Sequence, residues 1–459
     1  MFTKFIQFFY PDIQRKEIKK MSLLALSFVF TVGTYWLMRL LKDIVLYKLA
    51  FPVSLGWSND TGRQWIPTLK TLSPIFIFIL VLIYSKLVDI FEKHKIIYII
   101  ASFYMFLFSC ITGILLIKNT YGDAYLGTYT LATSGILGYL FTESFGSLMV
   151  AVFWSFTISS TTNAQAKRGF PFIIAAGQLG SIIGSSLFLI KTNIIWPFYA
   201  MVVFFLGLLI LTVRYLIRTI PNSEMTSDIK EKKTKPDMFE GFKLLGKKPY
   251  LIGVLVVSTF YEVATIIVEY QMNSQANAIF DDVAFKWFKG IYGISVNTLA
   301  FLMALLGTSY IIKKLGTRLC LLIYPITFAL AIIALYGYYI HSPSSWHLMW
   351  GTFLVMITIK AASYAINNPV KEMMYIPTSK NAKFKTKSII DMFGSRATKM
   401  GGAQVTRALN VADNFALSLQ NLMIYGSLIS LGFIGIWFIA AIYVGNKNKQ
   451  LVDNGEIIE

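Results

Sequence analysis

The chain has 459 residues, of which 56% are hydrophobic, 15% aromatic and only 14% charged, with a mean hydropathy of +0.61. A soluble globular chain carries about 25% charged residues, so this composition excludes a soluble enzyme or binding module and indicates an integral membrane protein. The net charge of +19 suits the basic cytoplasmic loops of a polytopic protein as well as an anionic cargo, and by itself does not separate the two.

The first residues, "MFTKFIQFFYPDIQRKEIKK", are charged and broken by Pro11. A full-length apolar stretch follows with no small-residue cleavage pattern, so no cleaved signal peptide is expected. About 20 apolar residues of helix cross a bilayer. On that measure twelve spans are expected near 22–44, 66–90, 96–118, 134–158, 169–191, 196–218, 249–271, 288–312, 317–340, 346–367, 388–408 and 420–445. The connection "SKLVDIFEKHK" at 85–95 is similar to the short second-to-third loop of the major facilitator superfamily, without its glycines. "GQLGSIIGS" at 177–185 follows no strand and precedes no phosphate-loop Lys, so its glycines predict close helix packing rather than a nucleotide fingerprint.

Basic connections alternate with connections poor in Lys and Arg. The basic ones are the N-terminus, Lys93 with Lys95, Lys167 with Arg168, the segment 219–248 with its seven lysines, Lys313, Lys314 and Arg318, then Lys371 to Lys387, and the tail with Lys447 and Lys449. The positive-inside rule then puts both termini in the cytoplasm. The expected fold is all-α integral membrane and major-facilitator-like, with 12 transmembrane helices in two six-helix bundles: 1–218, a central cytoplasmic linker at 219–248, and 249–459. Shifting the fifth span by 218 residues places Asn163, Ala164, Lys167 and Gly184 on Asn381, Ala382, Lys385 and Gly402, and Gln178 and Ser181 on Arg396 and Lys399. The second half thus has two cations where the first has neutral polar groups.

Ionisable side chains inside a span cost on the order of 3 kcal/mol and mark cavities or partners. They are Arg39, Lys42 and Asp43 in the first span, Glu143 in the fourth, Glu262 and Glu269 in the seventh, Lys360 in the tenth, and Asp391, Arg396 and Lys399 in the eleventh. Arg39 and Asp43, four apart, can neutralise each other, which leaves Lys42 unpaired or snorkelling from a span end. Arg396 and Lys399 share a helix face beside Gly394, Gly401 and Gly402, which suits either a substrate anion or a network with the carboxylates. Glu143 is open between structural counter-ion, proton carrier and gate. No metal-ligand cluster or catalytic set is visible. Cys110 and Cys320 read as small core residues, so no metal, cofactor or enzyme activity is expected.

"KEMMYIPTS", then "KFKTKSIIDMFGSR", then the Lys399–Gly402 pattern resembles the signature of the ATP/ADP translocases, the nucleotide transporters of obligate intracellular bacteria, microsporidia and plastids. "LLKDIVLY" in the first span and "ESFGSLMVAVFWSF" in the fourth are similar to segments of that family. The resemblance covers essentially the whole chain. It implies a monomeric multi-pass antiporter in a cell inner membrane that imports host ATP in return for ADP. Its lipid setting would be the bilayer, and nucleic acid would not be a partner. Family charges important for transport map onto Lys42, Glu143, Glu269 and Lys399, although "IVEYQMNSQ" departs from the family after its Glu.

On this basis Lys42, Lys399, Arg396 and Lys385 are the expected phosphate ligands, since ammonium and guanidinium groups hold phosphate oxygens by charge-assisted hydrogen bonds. Glu143 and Glu269 are the expected gating or coupling carboxylates. Tyr35, Phe145 and Tyr261 are candidates for the adenine slot. The competing readings are a proton-coupled nucleotide or NAD importer of the same family, and a polytopic receptor or scaffold that transports nothing.

Overall fold

The computed structural model describes residues 10, 13–58, 60–221, 224–225, 238–306, 308–341, 344–379, 386–387, 389–390 and 394–458. Among them no strand forms, and one isolated bridge pairs Thr378 with Ile458. The helices are α1 (Arg15–Lys48), α2 (Thr61–Ile90), α3 (Lys93–Tyr121), α4 (Asp123–Ser159), α5 (Asn163–Ser186), α6 (Trp196–Thr219), α7 (Met238–Lys247), α8 (Pro249–Thr259), α9 (Tyr261–Ile279), α10 (Asp282–Leu306), α11 (Thr308–His341), α12 (Ser345–Ala362), α13 (Asn368–Met373), α14 (Ser395–Leu409), α15 (Phe415–Asn421) and α16 (Ser427–Asp453).

In its described residues every expected span falls on one of these helices or on a consecutive pair of them; residues 388 and 391–393 of the eleventh, with Asp391, lie outside the described residues. Nine helical stretches among the described residues are long and apolar enough to cross a membrane, with α8–α9 and α15–α16 each counting as one. The other three expected spans coincide with α10, α12 and α14, which are shorter or more polar in their described parts. Two boundaries are set by glycine. Gly127 in α4 and Gly316 in α11 have φ of 73° and 74°, a region that side chains with a Cβ avoid. At Gly316 the chain therefore turns between the eighth and ninth expected spans.

The chain divides into two compact units. The first comprises Met1–Gly62, Ile75–Lys232 and Asp281–Asn297; the second comprises Arg63–Pro74, Lys233–Phe280 and Thr298–Glu459. The first turns of α2 thus belong to the second unit, and the first half of α10 belongs to the first. The α2 boundary is marked by Pro74, whose missing N–H leaves the Lys70 carbonyl without its helical donor. The Ser73 hydroxyl takes that carbonyl at 3.3 Å.

Packing in the first unit depends on backbone meeting backbone. A Cβ on Gly180 or Gly184 would strike the carbonyl oxygen of Val29 or Gly33 in α1, and one on Gly33 would lie 3.0 Å from the Gly180 carbonyl oxygen. Small residues allow this approach, and dispersion between the two backbones supplies the attraction that lipid does not. In the same unit Arg168 clamps Glu17 with two donors at 2.6 and 3.2 Å, and Lys20 donates to Gln165 Oε1 at 2.9 Å. Gly180→Val has no room to relax and should destabilise the detergent-purified protein by about 1–3 kcal/mol. Gly207→Ala, with no neighbouring atom within 4 Å, should leave the thermal midpoint essentially unchanged in the same denaturation assay.

Candidate functional site

In the first unit, α1 and α4 bring their charges together. Lys42 Nζ donates to Glu143 Oε1 and sits over the Tyr139 ring, 4.2 Å from its centroid. Tyr139 and Glu143 are four apart on α4, so one helix face presents both the π surface and the carboxylate. The Lys42 side chain is 7% exposed and Glu143 25%. At the next residue of α4, the Ser144 hydroxyl is hydrogen-bonded with the Tyr104 hydroxyl at 2.7 Å.

The pairing differs from the one that spacing suggests. Asp43 accepts from Lys289 of α10 at 2.7 Å, with side chains 9% and 1% exposed. Lys42 is therefore not the unpaired cation of the first span; it is the partner of Glu143. Arg39 lies over the Trp36 ring at 5.0 Å. Two oppositely oriented ion pairs thus leave consecutive positions of α1, which a one-helix reading of i,i+4 spacing does not capture.

In the second unit, α9 is buried along Tyr261–Ala276. Glu262 Oε1 lies 3.4 Å from Lys399 Nζ of α14, with side chains 10% and 34% exposed. The approach of the two helices is set by Gly402, where a Cβ would lie 3.1 Å from both the Val263 carbonyl oxygen and Ile266 Cβ. Arg396 stands in the first turn of α14 and is half-buried. Glu269 is buried two turns along α9 from Glu262. Lys385 lies outside the described residues.

Of the adenine-slot candidates, Tyr35 packs its ring on Gly146 of α4. Phe145 is fully buried, edge-on to Tyr104 at 5.0 Å. Tyr261 is edge-on to Tyr324 at 5.8 Å and near Trp437 at 5.9 Å. Two groups were not singled out by sequence. Glu262 was among the charges expected inside a span, and its contact with Lys399 is of the kind expected for a network with the carboxylates, although spacing alone does not choose Glu262 as the partner. Lys289 lies one residue inside the expected eighth span and reads as an ordinary loop-end lysine. Tyr139 has no chemical signature until Lys42 is placed above it.

A family model described as TLC ATP/ADP transporter matches residues 128–448. The chain belongs to that family. It is 24% identical to ADP,ATP carrier protein 2, chloroplastic, of Arabidopsis thaliana, covering 97% of this chain and 77% of that one. It is 24% identical to ADP,ATP carrier protein 1 of Chlamydia pneumoniae (96% and 93%) and 24% identical to that of Rickettsia bellii (97% and 96%). Among solved structures it is similar to a mutant of the nucleoside transporter NupG, with a TM-score of 0.62, 15% identity and 93% and 99% coverage. It also matches a D-xylose-proton symporter, with a TM-score of 0.60, 12% identity and 90% and 96% coverage. These likenesses establish the major-facilitator-like fold. The TLC ATP/ADP transporter chain is a multi-pass membrane transporter and not an enzyme.

The Asp43–Lys289 pair makes a clean energetic test. Lys289→Met leaves Asp43 as an uncompensated buried charge and should destabilise the protein by about 3–5 kcal/mol. Adding Asp43→Asn should recover more than half of that loss, as read from the thermal midpoints of the single and double variants.

Proposed function

We propose that this transporter exchanges ATP for ADP by alternating access, with Lys42 and Lys399 as lysines whose partners alternate between a carboxylate and nucleotide phosphate. The observation that carries this reading is the pairing of Lys42 with Glu143 and of Lys399 with Glu262, in a chain whose family and curated relatives are ATP/ADP carriers. ADP and ATP carry about three and four negative charges, and an ammonium inside a span is stable only against an opposite charge. When phosphate arrives, Lys42 and Lys399 exchange a carboxylate for a phosphate oxygen. When phosphate leaves, the carboxylate takes the lysine back, and the reorientation that phosphate permits is closed. Net one-way movement is disfavoured and exchange follows.

Arg396, one helix turn before Lys399, adds a planar donor for phosphate oxygens. Glu143 and Glu262 are the coupling carboxylates. Glu269 lies on the same helix as Glu262 and supports the field of that unit. The adenine ring is accommodated by aromatic side chains such as Tyr261 or Tyr35. The protein works as a monomer in a cell inner membrane, both termini in the cytoplasm, importing ATP and returning ADP.

In counterflow with labelled external ATP, internal ADP should drive uptake, and internal inorganic phosphate or an empty lumen should not. Uptake into an empty lumen driven by a proton gradient would replace exchange with proton symport. Lys42→Gln and Lys399→Gln should each reduce exchange by at least about a hundredfold while the protein still purifies folded, since each removes a charge-assisted contact made during reorientation.

A further inference from the structure

The second unit carries a pocket two turns beyond Lys399 along α14. Its volume is about 450 Å³ and its walls are Gln64, Trp65 and Thr68 of α2 and Arg407, Asn410 and Ala412 of α14 and the turn after it. Sites for small molecules span roughly 300–1,000 Å³, so the pocket has the size of a nucleotide site. None of the six lining residues is acidic, and the hydrogen-bonding groups that face it include one guanidinium.

The walls are fixed by a buried cation. Arg63, 2% exposed, donates Nη1 to Asn410 Oδ1 and donates Nη2 to the Val411 carbonyl at 3.1 Å, with its guanidinium 5.6 Å from the Phe415 ring centroid. Tyr270 of α9 donates its hydroxyl to the Arg63 carbonyl at 3.1 Å, and Gln404 Nε2 donates to Thr71 Oγ1 at 2.9 Å. The start of α2 is therefore pinned to α9 and α14 on both sides of the pocket. Because Arg63 occupies the Asn410 carbonyl oxygen, Asn410 has its amide N–H groups left to offer a ligand.

We propose that this pocket is a peripheral docking site for a nucleoside di- or triphosphate, resting on the nucleotide-exchange reading above. Arg407 holds phosphate oxygens, with Asn410 and Thr68 donating beside it, and the indole of Trp65 provides a stacking surface for the base. The site lies at the Thr61 end of α2, one membrane crossing away from the Arg15 end of α1. In the orientation proposed for the termini this is the outer face, where nucleotide is first met. A mixed basic and aromatic pocket at that face raises the local nucleotide concentration before the intramembrane lysines are reached. A phospholipid headgroup shares the phosphate chemistry but supplies no base to stack.

The test is the exchange of external labelled ATP for internal ADP by the full chain in vesicles. One set is phosphatidylcholine alone and a second contains anionic phosphatidylglycerol. Wild-type protein should exchange in both. Arg407→Gln and Trp65→Ala should each raise the KM for ATP about tenfold with kcat changed less than twofold, in both lipid mixtures, and Arg407→Lys should recover part of the loss. Arg407 is exposed, so its replacement leaves packing intact and keeps the test meaningful if Trp65→Ala fails to fold. Unchanged KM in the Arg407 variant, with wild-type protein exchanging, overturns the pocket and leaves the exchange reading standing. A defect confined to anionic vesicles assigns Arg407 to lipid headgroups and also overturns the nucleotide site. Wild-type protein that does not exchange overturns both readings.

Discussion

Lys42 is buried in α1, a helix long and apolar enough to cross a membrane. Such a charge is expensive to bury, and its cost is offset where Glu143 accepts from it and Tyr139 lies beneath it. The same constraint places Asp43 against Lys289 and Lys399 against Glu262. These pairs decide which faces of α1, α4, α9, α10 and α14 turn inward. Glycine at 402 lets α9 and α14 come close enough for Glu262 and Lys399 to meet, and glycines at 180 and 184 bring the backbones of α1 and α5 together.

An ion pair in this setting is a poor source of net stability, because desolvation removes most of what attraction supplies. It is a good switch. A lysine held by one carboxylate can be claimed by a phosphate that carries several charges, and the exchange of partners is nearly neutral in charge for the lysine. That gives a physical reason for an ATP/ADP carrier to keep paired charges inside its spans.

Hydropathy was enough to place the spans, and each falls on helix where its residues are described. The 371–402 motif was enough to place the family. The glycine run at 177–185 carried its packing role openly, because three small residues on one face have few other uses. The partners of the charges were not legible. Arg39 and Asp43 have the right spacing for each other, yet Asp43 is taken by Lys289, 246 residues later. Sequence separation carries no record of which helices face one another. Arg63 escaped notice for the same reason: at the end of a span it resembles a snorkelling residue, and only the fold reveals it buried against the turn at 410–415. Lys385 falls outside the described residues, so its role rests on the motif alone.

Competition between Glu143 and phosphate for Lys42 is the central claim, and equilibrium binding reads it without the complications of transport. In calorimetric titrations of the detergent-purified protein with ADP, Glu143→Gln should bind ADP several-fold more tightly than wild type, because the lysine is released from its internal partner. Binding that is unchanged or weaker in Glu143→Gln would contradict the exchange of partners on which the account is built.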